Sequence, residues 1–429
     1  MHDSLIWEKR WQALENMLNE MVDQYRGLPN PTLAALTGCL SAFGRDQFHF
    51  FHEGFEHERL LPSVQYPEEH VLRATLDQVA FDMSNIQRAA SQRNQDSVSI
   101  QAALEKADRL AQAALDLATN SDLLPKSAVL SYFDKSPHIR VIPYAPVGFI
   151  GIPYTCMETG RDFLAIAHEA GHHVYHHAPG LAAHLHRQVS PQPEWRFHWL
   201  EEIFADVYGC LVAGPVIGLD FQDLLLDNPL DQFIADDGHH PIDAIRPYVY
   251  SKVLAELEYE HAPNVLNRRW EGWLTRRNSP TTFVLHGNSG EVSLEEARAK
   301  AEETAVNILR YLTEERGVKP TNTWSADLAS SDEQAEELYK AFERALENLP
   351  NVTVYQLKEL ENHRVGVVAG DEQPNNTRAK GKTQTWRDWL KQESRTHKEH
   401  QLPAAVWMPV FTAGFWPIKG PEGNSNSGL

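Results

Sequence analysis

His168-Glu169-Ala170-Gly171-His172 puts two imidazoles and a carboxylate within five residues. On a helix, His168 and His172 stand one turn apart on one face, about 5 to 6 Å between their Cβ atoms, so both rings can reach one zinc ion at about 2 Å. Glu169 then stands beside the open side of that ion, where a carboxylate can act as general base. The same five residues also occur as the polar face of a surface helix, and their surroundings must discriminate.

Those surroundings are apolar. Phe163, Leu164, Ala167, Ala170, Gly171 and Val174 make a largely buried helix, with Thr159 three residues before Asp162 as the expected N-terminal cap and Ala178-Pro179-Gly180 as the stop. Two imidazoles and a carboxylate on such a helix are costly to bury unless something pairs them, and a divalent cation does so.

A second apolar helix follows. Trp199, Ile203, Val207 and Cys210 form one stripe, ended by Gly214-Pro215, and Glu202 and Asp206 lie four apart on its edge. Zinc in a hydrolase takes three protein ligands with an open fourth position, and two His plus one Glu is a recurring set. A ligating His also needs its other ring nitrogen held, usually by a carboxylate. Glu202 therefore fits the third ligand and Asp206 the carboxylate holding His168. Glu201 is the rival ligand, but no acidic residue lies four positions after it. The bland alternative, a solvated acidic face, sits poorly among aromatic and aliphatic neighbours. His173, His176, His177, His184, His186 and His198 crowd the region; with one zinc ion already enclosed, they are expected to be supporting or solvated.

The two helices resemble those of the gluzincin metallopeptidases, in which H-E-x-x-H is followed by E-x-x-x-D. In detail they are similar to the small minigluzincin type and to the soluble catalytic domain of prenyl-protein and heat-shock membrane endopeptidases. The resemblance covers about residues 139–257, less than a third of the chain. It implies zinc-dependent hydrolysis of peptide bonds in a protein or peptide substrate, with one Zn2+ on His168, His172 and Glu202 and with Glu169 as general base. In that lineage a His-Pro dipeptide and a later Arg follow the glutamate helix, and His240-Pro241 with Arg246 looks like the counterpart. His240 and Arg246 are then candidate oxyanion donors, ahead of Tyr248 and Tyr208; a turn histidine and a helix-anchoring arginine are the plainer readings. The resemblance also implies an edge strand above the metal that pairs with an extended substrate. Residues 138–154 hold two β-rich stretches separated by Pro146-Val147-Gly148, and their prolines suit an edge. Gly148, Phe149, Ile150 and Gly151 are thus expected to bind peptide by β-augmentation, unless the pair is an ordinary hairpin. A zinc-binding module without catalysis, acting in protein binding or sensing, is the alternative function; Glu169, needed only for chemistry, favours the enzyme.

The membrane relatives carry spanning helices. Here the longest apolar runs, 210–219 and 404–418, are shorter than about 20 residues and broken by proline, so no membrane partner or prenylated substrate is expected. A formal charge of −20 argues against nucleic acid and anionic membranes. Three widely spaced cysteines and an N-terminus without a basic, apolar leader fit a soluble cytoplasmic protein.

A length of 429 residues with 42% hydrophobic content allows two or three domains. The fold expected is α+β and mainly helical: a helical N-terminal region (1–125), a zincin-like core with a small edge-strand sheet (126–265) and an α+β C-terminal region (266–429). Trp7, Trp11, Leu14, Leu18, Met21 and Tyr25 step by four and three along a first helix, and further helices are expected near 70–92 and 99–119. His49, His52 and His57 lie among Phe48, Phe50, Phe51 and Phe55 and read as core packing rather than a second metal site. Ser293 opens a helix to about 315 as a capping box, after strand signals in 278–292, and another helix spans about 332–348. Residues 351–368 read as partly β, 370–385 as a polar loop and 420–429 as a disordered tail. The apolar stretch 404–418 is expected to dock on the body or to join two copies.

Overall fold

The computed structural model describes residues 4–64, 66–189, 198–286, 290–321, 332–352 and 402–403. They divide into two compact units, one of Met1–Asn94, Ile142–Pro146 and Val354–Leu429, the other of Gln95–Val141 and Val147–Thr353. Both are helical, and the second adds a three-stranded sheet, so the class is α+β and mainly helical.

The first unit packs α1 (Ser4–Tyr25), α2 (Pro31–Glu56) and α3 (Glu68–Arg93). The α1 stripe of Trp7, Trp11, Leu18, Met21 and Tyr25 is buried as its spacing predicts. Asn30 caps α2 by accepting from Thr32 N, with Pro31 in the first turn. His52 is buried and stacks on Phe48, ring centroids 5.2 Å apart, while His49 lies 4.0 Å from Glu53. These histidines belong to packing and surface pairing, and no metal-ligating group gathers here among the described residues. A two-residue strand, β1 (Leu60–Leu61), completes the described body.

The second unit holds the motif helices. Its sheet comprises β2 (Ala128–Asp134), β3 (His138–Arg140) and β4 (Val147–Pro153) in the order β2-β4-β3, with β4 parallel to β2 and antiparallel to β3. The expected edge strand is therefore the central one. Pro143 and Pro146 lie outside the ladder and Pro153 only at its end, so none interrupts the pairing of Val-Gly-Phe-Ile-Gly-Ile, which is buried on both faces. The edges fall instead to β2, which is buried, and to β3, which is half-buried.

Helix α4 (Val98–Asn120) backs the sheet. Ser97 caps it, Ala103, Ala107, Ala111, Ala114 and Ala118 are buried, and Asp108 accepts from both Ser131 N and Ser131 Oγ of β2 at 2.7 Å. The motif helix α5 (Ala165–His177) packs closely on α7 (Leu200–Ala213), beyond α6 (Leu181–Gln188). Thr159 does not cap α5. It precedes a 3₁₀ turn, Gly160–Phe163, and its side chain accepts no hydrogen bond, so the α-helix begins at Ala165. Then follow α8 (Pro215–Leu226), the single turn α9 (Leu230–Phe233), α10 (Arg246–Glu256), α11 (Ala262–Arg276), a hairpin of β5 (Thr282–Val284) and β6 (Glu291–Ser293), α12 (Leu294–Arg310) and α13 (Asp332–Leu346). Ser293 accepts from Glu296 N as the capping-box pattern predicts, and α12 runs on into a wider turn over Tyr311–Glu315.

The two units are defined by contact, whereas the expected regions 1–125, 126–265 and 266–429 follow the chain. Helices α4 and α11 to α13 belong with the motif helices, because their apolar faces join the same core as α5, α7 and α10. The expectations for residues 353–401 and 404–429, including the apolar stretch 404–418, lie outside the described residues. Among the described residues no helix is long and apolar enough to cross a membrane.

Candidate metal centre

Helices α5 and α7 can approach closely because Gly171 faces Ala205. A Cβ at position 171 would lie 2.7 Å from Ala205 Cα. That close crossing brings His168 and His172 of one helix to Glu202 of the other. His168 Nε2 and His172 Nε2 are 3.2 Å apart, Glu202 Oε2 is 3.4 Å from His168 Nε2, and Glu202 Oε1 is 3.6 Å from His172 Nε2. Ligands about 2.0–2.1 Å from a tetrahedral ion stand about 3.3 Å from one another, and these separations, the last two to different oxygens of Glu202, lie near that spacing. No other group of three such side chains converges among the described residues. Two imidazoles and a carboxylate at these distances could hold a metal ion.

Behind this triad lies a buried charge network. Asp206 Oδ1 is 3.0 Å from His168 Nδ1, out of line with the ring N–H direction. Asp206 is fully buried and accepts from Arg246 Nε and Nη2, each at 2.8 Å, and from Tyr250 Oη at 2.6 Å. Arg246 Nη2 also donates to Glu202 Oε2 at 2.8 Å, and the guanidinium lies over the Phe221 ring, which leans on His168. Burial would raise both carboxyls. Arg246 holds Asp206 below the usual carboxylate range, and His172 with Arg246 does the same for Glu202. Burial would likewise strip protons from the imidazoles, but Asp206 and Glu202 reverse this at His168, and Glu202, Glu201 and Glu169 lift His172 to about 10. Carboxylates that favour a proton at these nitrogens also favour a metal cation in its place.

Arg246 is thus a buried anchor behind the third carboxylate. Its Nε and Nη2 donate to Asp206 and Glu202, which suits the helix-anchoring reading better than the oxyanion role. His240 differs: its side chain is 44% exposed, its Nδ1 pairs with Asp237 Oδ2 at 2.5 Å and its Nε2 lies 3.4 Å from Glu202 Oε1. Burial lowers its pKa, but Asp237 and Glu202 raise it by more. The other two phenols weighed in the sequence are elsewhere. Tyr208 donates to Ala114 O of α4, and Tyr248 lies under the Arg298 guanidinium. Tyr250 is the phenol that reaches the network, one helical turn after Arg246, and that i to i+4 spacing was the signal for it.

Glu169 is half-buried on α5 and makes no hydrogen bond among the described residues. Glu201 is not a ligand: its Oε1 lies 2.9 Å from His172 Nδ1 and 2.8 Å from His176 Nε2. These two imidazoles outweigh its desolvation and hold its carboxyl well below the usual range. The signal was present in His176, one turn beyond His172 and with no other assigned role. The remaining histidines are supporting, as expected. His173 is fully buried beside Ser127 and stacks on His177, His184 stacks on Tyr311, and His186 pairs with Tyr175. Cys39, Cys156 and Cys210 are buried and form no disulfide among the described residues.

Gly148, Phe149, Ile150 and Gly151 are all buried in the central strand, and their backbones pair with β2 and β3 on either side. They have no free edge for a peptide. His138 of β3 lies over Gly151, where a Cβ would come within 2.2 Å of its ring, so glycine is needed for that crossing. β3 itself packs against α5. Comparison of the chain with family models, with curated proteins and with solved structures returns no match.

Proposed function

We propose that the protein is a zinc-dependent metallopeptidase of the gluzincin type, hydrolysing peptide bonds with Glu169 as general base. The observation that carries this reading is the His168, His172 and Glu202 triad at tetrahedral spacing, with an unpaired carboxylate next to its first ligand. His168 Nε2, His172 Nε2 and one Glu202 oxygen would hold the ion. Zinc held there supplies Lewis acidity toward a carbonyl and lowers the pKa of water toward about 7.

The chain's own groups do the rest. Glu169 takes the proton of the attacking water on a carboxylate oxygen and passes it to the leaving amine nitrogen. His240, partly exposed and oriented by Asp237, offers Nε2–H to the developing oxyanion, a contribution on the order of 3 kcal/mol in comparable sites. Arg246 and Asp206 keep Glu202 and His168 in place and touch no substrate. An extended substrate is aligned by the half-exposed edge β3, against α5, in place of the buried β4. A protein or peptide substrate follows from the gluzincin resemblance; the centre by itself suits other amides and esters as well.

The test is metal content and cleavage of a peptide panel by the purified protein, with Glu169→Gln alongside. Zinc at one equivalent in both and cleavage only in the wild type supports the reading. Equal cleavage by the variant overturns the assignment of the base, and zinc binding without cleavage in either leaves the non-catalytic module as the function.

A further inference from the structure

The two ligand histidines are held from behind by different devices. Asp206, behind His168, is fully buried and locked by Arg246 and Tyr250. Behind His172 stands Glu201, the immediate neighbour of the ligand Glu202. Successive residues on a helix diverge by about 100°, so α7 reaches one imidazole from two sides, Glu202 toward Nε2 and Glu201 toward Nδ1. The same Glu201 oxygen meets His176 Nε2. His168, His172 and His176 form one ladder along α5, a turn apart, and Glu201 links its second and third rungs. Glu201 and His176 side chains are 36% and 19% exposed, so this link reaches the protein surface while the Asp206 network does not.

We propose that Glu201, clamped by His176, is the positioning residue of the second metal ligand. It accepts the Nδ1–H of His172 and so fixes the tautomer that leaves the Nε2 lone pair facing His168 Nε2 and Glu202. His176 donates Nε2–H to the same carboxylate and keeps it from turning to solvent. Without the pair, His172 can take the other tautomer and present N–H where a cation should sit. Neither residue touches substrate, and the inference rests on the metal-centre reading.

The test uses the full chain with zinc and cobalt(II) as probes. Glu201→Gln keeps the side-chain shape and removes the charge, and His176→Gln removes the clamp from a partly exposed site. Competition with a chromophoric chelator should give zinc binding about 10- to 100-fold weaker for E201Q, and weaker by a smaller factor for H176Q. The cobalt(II) protein should carry two exchangeable, strongly shifted imidazole N–H signals, from His168 and His172, and one of them should exchange faster in both variants. A merely structural role would lower the metal-free melting temperature and leave those signals alone. Wild-type affinity and two unaltered signals in both variants would overturn the proposal. A wild-type protein that takes up no zinc overturns the metal-centre reading and this inference together.

Discussion

At the scale of residues, the centre divides into groups that act and groups that hold. Glu169 makes no hydrogen bond among the described residues and acts on its neighbours through its charge, which helps raise His172, so its replacement disturbs little of the packing. Glu169→Gln should retain one zinc and lose about 10²- to 10⁴-fold in kcat/KM, measured with any peptide the wild type cleaves. Arg246 is the opposite case. It neutralises Asp206 and Glu202 in a buried setting, so Arg246→Met leaves two carboxylates facing each other without their cation. Denaturant unfolding should register a loss of about 3–5 kcal/mol, and Arg246→Lys should recover only part, since one ammonium cannot reproduce the bidentate pair on Asp206. A variant of Arg246 with unchanged stability would refute the anchoring role. The residue-scale chemistry was legible in the chain where partners lie one turn apart: His168 with His172, and Glu202 with Asp206. Glu201 on His172 and Arg246 on Glu202 span 29 and 44 residues, and no local spacing announces such pairs.

At the scale of elements, the α5–α7 crossing sets the ligand distances. Gly171→Ala would press a methyl group onto the Ala205 backbone, costing about 1–3 kcal/mol and weakening zinc binding by spreading the helices. Gly209, on α7, faces the tip of Ile217 at 2.7 Å, a side chain that can rotate away, and the His168 backbone only at ordinary contact distance, 3.6 Å, so Gly209→Ala should be near neutral in the same unfolding assay. Equal effects of the two substitutions would argue against close packing at Gly171. Helix α8 holds a separate strain. Burial first, then Asp223 and Asp162, push the Asp220 carboxyl up to about 7 against the pull of Arg161. An unfolded Asp titrates near about 3.9, so between about pH 4 and 7 the folded chain holds a proton the unfolded chain has lost. Stability therefore falls as pH rises through that window. Asp220→Asn should match the wild type below about pH 4 and exceed it by on the order of 4 kcal/mol at pH 8. A constant difference across pH would rule this out. The error over β4 belongs to this scale too. Proline argues for an edge only when it lies within the ladder, and the prolines of 138–154 lie in the loop before β4 or at its last residue.

For the whole molecule, a metal bound only by the folded chain stabilises it by mass action. Zinc at a thousandfold excess over its Kd should add about 4 kcal/mol, and a chelator should reverse the accompanying rise in melting temperature. Loading near neutral pH should release protons. Glu202 and Asp206 are held ionised, so those protons come from the imidazoles, and calorimetry in buffers of differing ionisation enthalpy would measure them. The amino-acid sequence by itself determined the first helix, the motif helices, the cap at Ser293, the buried stripes and the two His and Glu pairs, because each is written in contacts within one or two turns. Tertiary structure alone decided that β4 is central, that β3 is an edge, that Arg246 is an anchor and that Glu201 and His176 stand behind His172. Those outcomes depend on which surfaces meet when α5 closes on α7 across Gly171, and a meeting between elements 30 to 40 residues apart leaves no period in the chain.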